Sequence, residues 1–162
     1  MAQCRFASQN PALHSALALR TRAVKPSSPP LSAPPLSVVF TPGRGRGVVA
    51  QRAFAVGELV ERAPVIVLTP EELAQIRGTL LARYYFEWGA DEESGALALG
   101  YGSLYNHSFT PNLEFESRED QLVIDFVALR EIAPGDELSI NYNNTGEFAD
   151  VPVQFEAHPH FD

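Results

Sequence analysis

Leu104-Tyr105-Asn106-His107-Ser108-Phe109-Thr110-Pro111-Asn112 is a polar loop with an aromatic on either side of Asn-His-Ser, set between two apolar segments. Farther along, Pro134-Gly135-Asp136-Glu137-Leu138-Ser139-Ile140-Asn141-Tyr142 places an acidic turn before a short apolar stretch that ends on a tyrosine. The first stretch has the form N-H-S-x-x-P-N and the second G-[DE]-E-L-x-x-x-Y. Upstream of both stands Gly43-Arg44-Gly45-Arg46-Gly47-Val48-Val49-Ala50, with glycine at every second position and an apolar run behind it.

Around these stretches the pattern is one of short strands. Ser37 to Phe40 and Val48 to Phe54 read as strands on either side of the glycine-rich loop, and Leu59 to Leu68 is β-rich, with Val65 to Leu68 as a buried run. Leu113 to Glu116 and Leu122 to Leu129 read as a hairpin turned at Arg118-Glu119-Asp120, and Glu137 to Tyr142 as the last core strand. One helix interrupts them. Thr69-Pro70-Glu71-Glu72 is a capping box with proline at the first helical position. Leu73, Ile76, Leu80 and Tyr84 then recur at helical spacing as its buried face, until Gly89 ends the pattern. The fold class is therefore mainly β, a β+α architecture, which argues against a doubly wound nucleotide fold.

Size and charge bound the function. The chain has 162 residues, room for one domain with one core. No apolar run approaches the roughly 18 residues of a membrane span. The single cysteine, Cys4, gives neither a disulfide framework nor a cysteine-built zinc site. Net charge is −8 but segregated: residues 1–57 hold seven basic and no acidic residues, residues 58–162 five basic and twenty acidic. An acidic body repels nucleic acid phosphate and attracts Lys- and Arg-rich polypeptide, besides aiding solubility. Residues 1–36, rich in Ala, Ser, Pro and Arg, read as a separate N-terminal tail. That tail is disordered, an organelle-targeting segment, or a product of a misplaced start codon. Residues 37–146 read as the domain, and 147–162 as a C-terminal segment without periodicity.

The motifs exclude several chemistries. Gly43-x-Gly45-x-Gly47 departs from G-x-G-x-x-G and precedes a strand, so a dinucleotide site fails its structural test. A hydrolase triad of Ser108, His107 and Asp125 fails because adjacent residues of an extended loop point apart, and no G-x-S-x-G is present. His158-Pro159-His160 and Asp162 suggest a metal, but the intervening proline and polar tail make a preformed site a poor reading; no metal site is expected. Gly43, Gly45 and Gly47 let backbone approach a ligand closely, and Asn106 offers both a donor and an acceptor.

In this order, the three stretches resemble the signature of SET-domain protein lysine methyltransferases, over about Val38 to Asn144. The resemblance is to compact, cysteine-free members such as small viral and bacterial SET proteins. It implies several short-stranded sheets, one inserted helix, and a C-terminal segment threaded beneath a loop as a pseudoknot. It also implies S-adenosyl-L-methionine as cofactor. The glycine loop would contact it through Gly45, Arg46 and Gly47; pairing through Gly43 and Gly45 is the alternative register, and the spacing to Val48 favours the former. The Asn106 side chain and the His107 main chain would hold its amino-acid and adenine parts. Tyr142 would be the catalytic tyrosine where the target lysine meets the methyl group. Tyr101, Tyr105 and Phe109 are candidate walls of the lysine channel, closed by an aromatic of the C-terminal segment: Phe148, or Phe155 or Phe161. The implied substrate is a lysine in a basic protein or peptide such as a histone tail, with no direct nucleic acid binding, no membrane and a monomer or homodimer, in the cytoplasm or nucleus. A non-catalytic SET-like module that binds basic peptides is the rival function.

Overall fold

The structure is a computed structural model and describes residues 34–41, 44–90 and 92–143. Its strands are β1 (Leu36–Thr41), β2 (Gly45–Ala50), β3 (Leu59–Leu68), β4 (Tyr85–Trp88), β5 (Ser94–Ala98), β6 (Asn106–His107), β7 (Leu113–Arg118), β8 (Val123–Ala128) and β9 (Glu137–Ile140). They form two sheets, ordered β1-β2-β9-β6 and β4-β5-β3-β8-β7. The first begins as a hairpin in which Leu36 faces Ala50 and Thr41 faces Gly45. Gly45 sits at φ +75°, a conformation that favours glycine, where the chain enters β2. The second sheet is antiparallel throughout. Its β7–β8 hairpin turns through a single 3₁₀ turn at Glu119–Gln121, with Leu122 left-handed at φ +54°.

One apolar core lies between the sheets. Val48, Leu138 and Ile140 enter it from the first, and Ala63, Leu113, Ile124 and Phe126 from the second. Phe54 and Ile132 join the ends through an isolated antiparallel bridge, and both are buried. The mainly β reading with one inserted helix holds.

Two local expectations do not. The helix is α1 (Pro70–Ile76), followed by a separate 3₁₀ turn at Leu80–Arg83. The capping box forms, with Thr69 N–H donating to Glu72 Oε2 at 2.9 Å. The helix stops where Gly78 weakens it and Thr79 starts a new cap, its Oγ1 accepting from Leu81 N–H at 3.3 Å. Tyr85 to Trp88, read as helix, is strand β4, because its aromatics find a pairing partner in β5. None of Leu73, Ile76, Leu80 or Tyr84 is fully buried. Similarly, the run Val65 to Leu68 is not buried: Ile66 is 50% exposed. The short α1 lies against β3 and β5.

β9 enters between β2 and β6, antiparallel to the first and parallel to the second. This pairing brings the last motif beside the other two; the threading of the C-terminal segment that the resemblance implied falls on residues after 143, outside the described set. β6 is only two residues long, with Asn106 opposite Ser139 and His107 opposite Ile140. A buried side chain extends the contact. Asn112 donates through Nδ2 to the Glu137 carbonyl at 2.9 Å and accepts at Oδ1 from Ser139 N–H at 2.8 Å. It thus binds the β9 backbone as another strand would. Among the described residues no helix is long and apolar enough to cross a membrane.

Replacing Asn112 by alanine leaves one donor and one acceptor of β9 without this partner in a buried setting. The expected loss is about 2–4 kcal/mol of folding stability, read by urea denaturation. A loss under about 0.5 kcal/mol, the range of ordinary surface substitutions, would show that β9 is held by strand pairing alone.

Candidate active site

The three motifs meet because β9 lies between β2 and β6. Glu137, the first residue of β9, is the junction. Its Oε1 accepts from Asn106 Nδ2 at 2.7 Å and its Oε2 from Arg44 at 3.3 Å. The other arm of the Arg44 guanidinium donates to the His107 carbonyl at 2.7 Å. Gly47 closes the group. A Cβ there would lie 2.7 Å from both Asn106 Nδ2 and Glu137 Oε1, so glycine lets these two side chains close on its bare backbone. A small ligand at this point meets a bare backbone, a primary amide and a carboxylate.

Tyr142 lies just past β9. Its backbone N–H donates to His107 Nδ1 at 3.2 Å, and its hydroxyl donates to the Tyr105 carbonyl at 2.8 Å. Its ring tilts against the His107 imidazole at 5.3 Å, and Phe109 packs edge-on against the same imidazole at 4.6 Å. Although Tyr142 is 39% exposed, its hydroxyl end is turned inward. Burial pushes the phenol up to about 12, with the Arg44 guanidinium opposing. It is therefore a protonated donor at neutral pH. Beside it opens a cleft of about 730 Å³, lined among others by Tyr84, Tyr85, Phe86, Glu87, Tyr105 and Tyr142. Its floor is aromatic and its rim carries carboxylates.

The sequence-derived residues separate here. Gly45, Arg46 and Gly47 lie on β2, Asn106 and His107 form β6, and Tyr142 follows β9, so these gather at one end of the first sheet. Of the expected channel walls, Phe109 joins them through His107, whereas the side chains of Tyr101 and Tyr105 turn elsewhere. Tyr105 is 1% exposed, its hydroxyl donating to Glu61 Oε2 at 2.7 Å; it is core, and only its carbonyl faces Tyr142. Tyr101 turns toward Leu36, whose carbonyl accepts from its hydroxyl at 3.4 Å. Phe109 is 50% exposed and covers His107. Phe148, Phe155, Phe161 and the His158/His160 pair lie outside the described residues, as does Gly43. Sequence reading missed Arg44, Glu137 and Asn112 as ties between motifs, and Tyr84 and Tyr85 as cleft residues. Glu137 and Asn112 stand inside the quoted motifs, but their partners are backbone atoms or residues distant in sequence. Tyr84 and Tyr85 were absorbed into the helical pattern.

Comparison with known proteins gives the same assignment. A family model described as "SET domain" matches residues 45–143. A Schizosaccharomyces pombe protein named "Histone-lysine N-methyltransferase, H3 lysine-37 specific" is 33% identical over 122 residues, covering 75% of this chain and 82% of that protein. A crystal structure of a Plasmodium falciparum protein described as a histone methyltransferase superposes with a TM-score of 0.55 at 26% identity, over 68% of this chain and 99% of that one.

Burial, and then the Arg44 guanidinium, hold His107 below the ordinary imidazole value of 6.5. The neutral ring is the one whose Nδ1 can accept from Tyr142. In the unfolded chain the ring takes up a proton near 6.5, whereas the folded state resists it to lower pH. More protons are then bound in the unfolded state, so stability falls as pH drops through 6.5 and this contribution levels off below the folded value. Thermal melts between pH 7.5 and 5.5 should show wild type losing more than His107→Asn, whose side chain does not titrate. Parallel pH profiles would show that His107 keeps its ordinary value in the folded chain.

Proposed function

The chain belongs to the SET-domain protein lysine methyltransferases, and we propose that it transfers methyl from S-adenosylmethionine to the ε-amine of a lysine in a basic protein. The observation that supports this reading is that Gly47, Asn106 and Glu137 meet where β9 enters between β2 and β6, with Tyr142 just past β9 against His107, the neighbour of Asn106.

The residues at that point fit the cofactor. Gly47 has no side chain between its backbone and the Asn106 amide and Glu137 carboxylate, which close to where a Cβ would stand. The Asn106 carbonyl oxygen and the Glu137 carboxylate suit an α-ammonium group, and the backbone of Gly45 to Gly47 is open to close approach. His107 Nε2 is buried with no hydrogen-bond partner among the described residues, a donor still unsatisfied in this pocket. S-adenosylmethionine supplies an electrophilic methyl group when bound.

The protein's own part is positioning and proton control. A free lysine amine has a pKa near 10.4 and is almost wholly protonated at neutral pH. The aromatic floor of the cleft disfavours the charged form by desolvation, which raises the share of neutral amine. Tyr142, whose hydroxyl is already fixed by the Tyr105 carbonyl, orients that amine for transfer. Polarised C–H groups near the reaction line find carbonyl oxygens as weak acceptors, that of Tyr105 among them. The rim carboxylates Glu87, Glu92 and Glu119, with fifteen more acidic than basic residues over 58–162, favour a Lys- and Arg-rich strand of substrate. A histone tail is the substrate class that the relative's name also suggests.

The test is Tyr142→Phe, which keeps the ring and its packing. Single-turnover transfer from labelled S-adenosylmethionine to histones should fall at least tenfold, about 1.4 kcal/mol of barrier. Melting temperature and cofactor affinity should stay close to wild type, since a group acting at the transition state leaves ground-state binding little changed. A folded mutant with wild-type turnover would remove Tyr142 from catalysis. Wild-type protein that binds cofactor and basic peptide yet transfers nothing would leave a non-catalytic peptide-binding module.

A further inference from the structure

Glu61 is a carboxylate in the core. It is 6% exposed, and no basic side chain among the described residues is paired with it. Burial raises its pKa. A group of this kind is disfavoured unless its oxygens are well used. Both are. Oε2 accepts from the Tyr105 hydroxyl at 2.7 Å, and Oε1 accepts from Tyr101 N–H at 2.9 Å.

The backbone is shaped to deliver it. In a regular strand Val60 and Glu61 would face opposite sides of the sheet. Here both are buried, because the pairing of β3 with β8 slips between Leu59 and Glu61. Such a bulge re-aims a side chain. On the far side, Gly100 sits at φ +72°, and a Cβ there would collide with Glu61 Oε1. A strand irregularity and a glycine therefore both make room for this one carboxylate.

The segment it grips leads to the active site. Tyr105 hangs by its hydroxyl from Glu61 and by its ring on Phe126, edge-on at 4.8 Å. Its carbonyl accepts the Tyr142 hydroxyl, and the next residue is Asn106. We propose that Glu61 is a positioning residue for methyl transfer. By fixing Tyr105 it sets the carbonyl that orients the Tyr142 hydroxyl. This rests on the catalytic role given to Tyr142 above. A purely structural carboxylate would affect stability and leave that orientation alone.

The full chain is compared as wild type, Glu61→Gln, Tyr105→Phe and the double variant. Glu61→Gln gives the tyrosine an amide in place of its carboxylate acceptor; Tyr105→Phe keeps the ring and drops the hydroxyl. Should Glu61→Gln fail to fold, Tyr105→Phe carries the test alone. In folded variants, cofactor affinity should stay within threefold and single-turnover methyl transfer should fall at least tenfold. The double variant should lose no more than the worse single one, as expected for two groups acting through one bond. The ¹³C-labelled Cζ resonance of Tyr142, assigned from its loss in Tyr142→Phe, should shift in each variant. Folded variants with transfer within threefold of wild type and an unmoved Tyr142 resonance would overturn the proposal. Should wild type transfer no methyl at all, the enzymatic reading itself has failed. The resonance then decides alone: a shift in Tyr105→Phe upholds the link from Glu61 to Tyr142, and no shift overturns it.

Discussion

The parallel contact between β6 and β9 is the constraint on which the site depends. It spans two residues on each strand, Asn106 with Ser139 and His107 with Ile140. Residues this far apart in sequence must be brought together against chain entropy, and two residues of parallel ladder offer little in return. The shortfall is met by side chains. Asn112 grips the β9 backbone on both a carbonyl and an amide. Arg44 bridges the His107 carbonyl and Glu137, and Tyr142 N–H reaches His107 Nδ1. Behind them Leu138 and Ile140 are buried in the common core. Without this crossing the glycine loop, the Asn-His pair and the tyrosine would each be an ordinary piece of a β protein.

Among the described residues, most buried polar groups are bonded to segments that carry the motifs. Asn112, Ser139 and Glu61 are buried and bind the backbone or side chains that shape the two motif loops. Asp125 is the counterexample. It is buried at the face of the second sheet and held by Arg62 at 2.7 and 2.8 Å. The guanidinium holds its carboxyl below the usual carboxylate range. That pair fastens β3 to β8, and neither residue lines the cleft. The contrast follows from partner type. Asp125 is neutralised by a cation, as a structural carboxylate ordinarily is, whereas Glu61 is not.

Much of this was legible in the residues. The short strands, the hairpin of 113–128 and the capping box at Thr69 follow from local pattern and turn chemistry, and they form. The convergence of the motifs does not follow from any local rule, since parallel pairing between segments distant in sequence leaves no periodic trace. It became legible only through resemblance. Where aromatic residues stood in a helical spacing, as Tyr84 to Trp88 do, pattern misled, because strand pairing with β5 outweighed an intrinsic spacing interrupted by Gly78. Tyr101 and Tyr105 were read as walls for being aromatic and near the motif. The bulge at Glu61 is invisible in sequence, and the Tyr105 ring is buried with its hydroxyl on that carboxylate.

Chemical-shift mapping of backbone amides during titration of the wild-type chain with S-adenosylmethionine addresses this convergence most directly. Amides of Gly45 to Gly47, of Asn106 to Ser108 and of Glu137 to Asn143 should move together, along curves that fit one dissociation constant. Shifts confined to one segment, segments that titrate with separate constants, or no shifts at saturating cofactor would contradict a single site assembled by β9.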